Sequence, residues 1–130
     1  MKTAREILNR ALTLLGEGTE PEEDGAPFRE RTVELVNVLL SENSDLRSET
    51  PPSGTVPQIT STEDEVPGED AVVLSLFPLG LAAYLIEQED AARGAFFRGL
   101  YREEKERIRM LLRRGRRHKI GRGKGNGKGF

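Results

Sequence analysis

Residues 59–101 read ITSTEDEVPGEDAVVLSLFPLGLAAYLIEQEDAARGAFFRGLY, and this stretch decides the fold. A polar, acidic turn runs into the most apolar segment of the chain. From Ala71 to Ile86 nearly every residue is apolar or small, with Ser75 and the Tyr84 hydroxyl as the polar exceptions. These 16 residues fall short of the about 20 needed to cross a bilayer. The pattern predicts a helix from Glu69 to Glu89 that is packed on several sides. Glu69 and Asp70 favour its N-terminus through the helix dipole. Pro78 removes one backbone hydrogen bond and should kink the helix, or divide it near Phe77. Gly80 permits the close approach of a neighbour.

The flanking segments supply packing partners. Thr3 to Leu15 reads as a helix, with Ala4, Ile7, Leu8, Ala11, Leu12 and Leu15 on one face. Thr3 and Glu6 have the spacing of a capping box. Gly16 and Gly18 end this helix. A second helix is expected from Pro27 to about Ser41, burying Phe28, Thr32, Leu35, Val36, Leu39 and Leu40. Both are too narrowly amphipathic to stand alone, so docking on the apolar Ala71–Ile86 segment is expected. Asp90 is a good N-cap for a fourth helix, Ala91 to about Arg114. Ala92, Phe96, Phe97, Leu100, Tyr101, Ile108, Leu111 and Leu112 form its expected apolar side. Its charged middle, Arg102 to Arg109, should project beyond the core, held by pairs such as Arg102–Glu106 and Glu103–Arg107. The fold class is therefore all-α: a small four-helix bundle, residues 1–112, followed by a basic Gly-rich tail, 113–130.

Between the second and third helices lie 27 residues, Glu42 to Gly68, with four prolines. Compact domains rarely carry so long a connection without a use for it. Val56 to Thr60 has the character of a short extended edge. Two readings stand open: a flexible surface loop, or an arm that orders against a partner through Val56, Gln58, Ile59 and Thr60.

The net charge of −2 conceals a strong polarity. Residues 1–106 hold all 22 acids and 10 of the 20 Lys and Arg, giving −12, while residues 107–130 hold the other 10 and no acid, giving +10. The tail carries Arg113, Arg114, Arg116, Arg117, His118, Lys119, Arg122, Lys124 and Lys128, and ends in Phe130. Its recurrent glycines give it no intrinsic secondary structure. It reads as a flexible polycation that meets either nucleic-acid phosphates or an acidic protein surface, with Phe130 as an apolar anchor.

Several function classes find no support. There is no cysteine, hence no disulfide and no thiolate metal site. The acidic segment GEGTEPEEDG lacks the ligand spacing of an EF-hand. The one histidine, His118, lies among cations. No paired nucleophile and base, phosphate-cradling loop or metal-ligand cluster is legible, so neither catalysis nor a cofactor is expected. The N-terminal segment lacks a signal-peptide pattern, and the protein is expected to be soluble and intracellular when made.

The order of these elements resembles the head-tail adaptor (head-completion, connector) proteins of tailed phages and prophages. The resemblance covers roughly residues 3–112. It rests on ILNRALTLLGE, on RTVELVNVLLSE, on the loop end QITSTEDEVPGED before VVLSLFPLGLAAYLIEQED, and on FFRGLYREEKERI. It implies a twelve-membered ring under the portal protein, at the virion neck, made in the host cytoplasm. Such a ring extends the DNA channel, and DNA passes through it without sequence-specific binding. It also implies contacts to the next neck or tail completion protein, and a C-terminal segment, Arg113 to Phe130, that docks on the portal. No membrane is implied. The alternative is a nucleic-acid-binding accessory protein that uses the same tail. Against it stand the body's −12 charge and the want of a basic recognition helix.

Overall fold

The computed structural model describes residues 2–16, 25–46 and 56–124; side chains are described outside 25–28 and 115–124. The architecture is all-α. α1 spans Ala4–Leu15 and α2 spans Gly25–Glu42, followed by a 3-10 turn at Ser44–Leu46. A π-helical segment, Ala71–Leu76, leads directly into α3, Phe77–Ile86. α4 runs from Ala91 to Lys124.

The apolar segment sits at the centre. Val72, Val73, Leu76, Phe77, Leu81, Ala82, Ala83 and Ile86 are all buried. α1 covers it with the stripe that its spacing predicts, Ala4, Ile7, Leu8, Ala11, Leu12 and Leu15. α2 adds Val36, Leu39, Leu40 and a fully buried Thr32, with Leu35 half-buried. The side chain of Phe28 lies outside the described residues. α4 contributes Phe97, Tyr101 and Ile108.

The ends of α1 follow from local chemistry. Thr3 Oγ1 accepts from the Glu6 N–H at 3.2 Å, which caps the helix. The reciprocal half of a capping box is replaced, because the Glu6 carboxylate pairs with Arg10 at 3.1 Å. Gly16 closes the helix with φ +82°, a left-handed conformation that glycine adopts without penalty.

The central helix is not divided: its backbone stays helical through Leu76 and Phe77, and only its spacing changes there, one residue before Pro78. The Phe77 N–H reaches back five residues to the Val72 carbonyl, the widened spacing of a π turn. Pro78 then enters the first turn of α3, where its missing N–H is tolerated. Gly80 makes room for two neighbours: a Cβ there would lie 2.5 Å from Leu39 Cδ2 and 2.9 Å from Tyr101 Cε1.

The end of the long connection is pinned to the body. The Ala4 and Arg5 N–H groups, unpaired within α1, donate to Asp64 O at 3.3 Å and Thr62 O at 2.9 Å. Val66 N–H donates to Lys2 O at 2.7 Å, and Thr3 and Glu65 form an antiparallel bridge. Asn37 takes the backbone of Ile59 with both ends of its amide, accepting at 2.8 Å and donating at 3.0 Å. Ile59, Thr62 and Val66 are buried. Residues 56–68 are thus part of the folded body; residues 47–55 lie outside the described residues.

The structure departs from the sequence expectation in several places, among them the end of the central helix, at Ile86 rather than Glu89. α2 begins at Gly25, two residues before Pro27. The charged middle of α4 is packed rather than projecting: Ser75 Oγ donates to Glu104 Oε2 at 2.5 Å, Lys105 Nζ donates to Glu42 O at 2.8 Å, and Arg109 Nη2 donates to Asp45 Oδ2 at 2.9 Å. The pairs within the helix are Arg107–Glu104 and Arg109–Glu106, because Glu104 and Arg109 face neighbouring elements. Finally, the backbone stays helical through Arg113, Arg114, Arg116, Arg117, His118, Lys119, Arg122 and Lys124, where the sequence predicts a tail without secondary structure. Arg and Lys are good helix formers and are favoured near a helix C-terminus, so the glycine penalties there are offset. Lys128 and Phe130 lie outside the described residues.

Candidate functional site

Two features of the body combine polar chemistry with surface access. The first is a cluster where α2, α3 and α4 meet. Glu42, the last residue of α2, accepts from the Tyr84 hydroxyl and, at 2.8 Å, from the Tyr101 hydroxyl. Asn43, buried beside it, donates through Nδ2 to Leu39 O and to the Tyr101 oxygen, both at 2.8 Å. Burial, with the Glu42 carboxylate beyond it, pushes the Tyr84 phenol up to about 12 and raises Tyr101 further. Both phenols therefore act as donors that tie three helices to one carboxylate. A hollow of about 360 Å³ adjoins them, with Gly80, Arg98 and Arg102 on its walls.

The second feature is a groove of about 440 Å³ between α1 and the central helix. Leu14, Leu74, Pro78 and Leu79 line it, with Asn9, Arg10, Thr13 and Ser75 at its polar edge. Leu14 falls off the buried stripe of α1 and is 44% exposed. Arg10 crosses the edge, donating to Glu6 and to the Leu74 carbonyl.

The far end of α4 forms a third surface. Ile108 is its last buried residue among those described. Met110 and Leu111 follow at 48% and 47% exposure, and Leu112 is half-buried. The exposed Arg113 and Arg114 come next. The remaining predicted tail residues, Arg116, Arg117, His118, Lys119, Arg122 and Lys124, lie on the helical backbone beyond. Of the predicted loop residues, Gln58 and Thr60 are exposed, Val56 is half-buried, and the Ile59 side chain is in the core. Thr60 is held through its N–H and hydroxyl to Asp64 Oδ2, at 2.9 and 3.1 Å.

The sequence spacing assigns Ala92, Phe96 and Leu111 to the packed side of α4, and all three are exposed. Phe96 is 61% exposed, its ring edge-on to the buried Phe97 at 5.3 Å. Leu14 and Met110 escape the sequence reading. For Leu14 a signal exists, since it lies outside the apolar stripe of α1. For Met110 and Leu111 no local signal exists, because their exposure depends on where the rest of the body ends.

Among the described residues no group of three or more His, Cys, Asp or Glu could hold a metal ion. No helix among them is long and apolar enough to cross a membrane. Compared with protein-family models, curated proteins and solved structures, the chain matches none.

Proposed function

We propose that this chain is a structural head-tail adaptor. It assembles as a ring, in twelve copies, under a portal protein at the virion neck. The ring extends the DNA channel and joins the head to the next neck or tail completion protein. The reading rests on the resemblance carried by residues 3–112. One structural observation supports it most: α4 outruns the body, carrying exposed Met110 and Leu111 and then an acid-free basic stretch. An apolar and cationic helix end left uncovered by the described residues suits a protein that works by docking. In this reading Arg113 to Phe130 grips the portal, and Gln58 and Thr60 face a neighbour or the next ring. The acidic body repels DNA, so the duplex slides past without sticking.

Electron microscopy of the protein mixed with the portal encoded beside it tests this. An added ring on the narrow end of the portal is the expected result. A bare portal, together with duplex DNA binding that weakens steeply as salt rises and vanishes on deletion of residues 113–130, would replace this reading with the nucleic-acid-binding one.

A further inference from the structure

One side of α4 is left free by the body. At alternating steps of three and four residues, Phe96, Gly99, Glu103, Glu106, Met110 and Arg113 fall on a single stripe of the helix, the repeat of a two-helix seam. None of the six is buried. Phe96 is 61% exposed, Met110 48%, and a Cβ added at Gly99 would meet nothing within 4 Å. The buried residues of the same helix, Phe97, Tyr101 and Ile108, lie on its opposite side.

The stripe carries unmatched charge of both signs. Neither Glu103 nor Arg113 has an ion-pair or hydrogen-bond partner among the described residues. They stand about 15 Å apart along the helix, too far to pair with each other. Glu106, between them, is already matched by Arg109 at 2.6 Å. Acid therefore comes first along the stripe and base second.

We infer that this stripe of α4 pairs antiparallel with the same stripe of a second copy of this chain, about a two-fold axis level with Ile108. That register sets Glu103 against Arg113 of the second copy, and Arg113 against its Glu103. Met110 lies against Glu106 of the second copy, whose charge Arg109 already satisfies, so no unpaired charge meets the apolar side chain. Phe96 comes over position 120, an isoleucine, on the helical backbone of the second copy. Position 124, a lysine, approaches the exposed Glu89. The overlap from 96 to 120 is about 36 Å long at the usual helical rise. A parallel pair is disfavoured by the same residues, because it would set Glu103 on Glu103 and Arg113 on Arg113. Each body packs on the side of α4 away from the stripe, so the two bodies stand outside the helix pair and do not obstruct it. The contact uses one surface on both copies and closes as a dimer. It goes beyond the adaptor reading and does not depend on it.

A charge exchange within the full chain tests this. Sedimentation equilibrium at about 0.15 M salt measures the association, and circular dichroism verifies that each variant, changed only at exposed positions, remains folded. The parent chain is expected to be a reversible dimer. Glu103→Arg brings like charges together and should weaken dimerisation by at least about tenfold, and so should Arg113→Glu. The two changes in one chain exchange the partners and should return the affinity to within about threefold of the parent. Phe96→Ala should weaken the dimer with both charges intact. A monomeric parent overturns the inference. So do oligomers larger than a dimer, single variants that dimerise as the parent does, or a double variant that stays weak. The adaptor reading is judged separately on the portal: a ring there from a chain that is monomeric in solution removes this pairing alone, and a restored double variant with a bare portal removes the adaptor reading alone.

Discussion

The guanidinium of Arg10 donates to the carbonyl of Leu74 at 3.3 Å. Leu74 is four residues before Pro78, and proline has no N–H to offer that oxygen. A cation on α1 thus serves a carbonyl that the central helix cannot serve in the usual way. The same cation pairs with Glu6 at 3.1 Å.

This relationship predicts a coupling that a double-mutant cycle will measure. Arg10→Ala should destabilise the protein by about 0.5–1 kcal/mol, the low end for a charged donor because the site is exposed. In a Pro78→Ala background the helix regains its own donor, and the cost of Arg10→Ala should shrink toward zero. Equal costs in both backgrounds, from urea unfolding, would show that Arg10 acts independently of the proline.

Gly80→Ala should destabilise by about 1–3 kcal/mol through overpacking. The new methyl would meet Leu39 Cδ2 at 2.5 Å and Tyr101 Cε1 at 2.9 Å, on two different helices. Truncating Leu39 to Ala in the same chain should recover part of that loss relative to the sum of the two single changes. The unfolding midpoint of the three variants checks this. A Gly80→Ala protein as stable as the parent would contradict the packing described.

Acid should weaken the turn that caps α1. Hydrogen bonds from the Thr60 N–H and hydroxyl, and from the Ser61 N–H, hold the Asp64 carboxyl below its ordinary value of 3.8. A depressed carboxylate stabilises the folded state above its unfolded value, and that contribution is lost as pH falls through the folded value. Stability should therefore decline below about pH 4. Asp64→Ala should be less stable at neutral pH and should show a shallower decline in acid. Hydrogen exchange at the Arg5 amide, which donates to Thr62 O at 2.9 Å, reports the same loosening locally.

Alkali should act through the two tyrosines, which are the only ones in the chain. Tyr84 is raised to about 12 and Tyr101 beyond it. A raised phenol stabilises the fold fully below the unfolded value of about 10, and that stability is lost as pH climbs toward the folded value. Tyrosinate absorbance should stay flat past about pH 10, then rise together with loss of helical ellipticity. An ordinary titration centred near that unfolded value in the folded protein would show that the phenols are not held by Glu42. Tyr101→Phe should cost about 1–2 kcal/mol, since Asn43 Nδ2 loses its side-chain acceptor in a buried place.

The sequence carried the elements that depend on near neighbours along the chain. The stripe of α1, its Thr3 cap and Gly16 terminus, the Asp90 cap, which accepts from the Arg93 N–H at 3.1 Å, and the change of helical spacing beside Pro78 all follow from spacing and from single-residue backbone chemistry. The exposed apolar positions were less legible. Phe96 and Leu111 have the spacing of packed residues, yet none of the described elements covers them.

What the sequence by itself determined is an all-α chain with a buried central helix, and an acidic body followed by a basic end. Periodicity, caps, proline and charge counts are local or summed properties, and they need no knowledge of distant contacts. Only the tertiary structure decided that residues 56–68 close over the start of α1, that Glu42 collects two phenols from α3 and α4, that Arg10 meets the carbonyl at Leu74, and that Met110 and Leu111 stand exposed on α4. The first three join residues far apart in the chain, and the fourth depends on where those other elements stop. How the helices pack decides all of them, and the pattern within any one helix does not specify it.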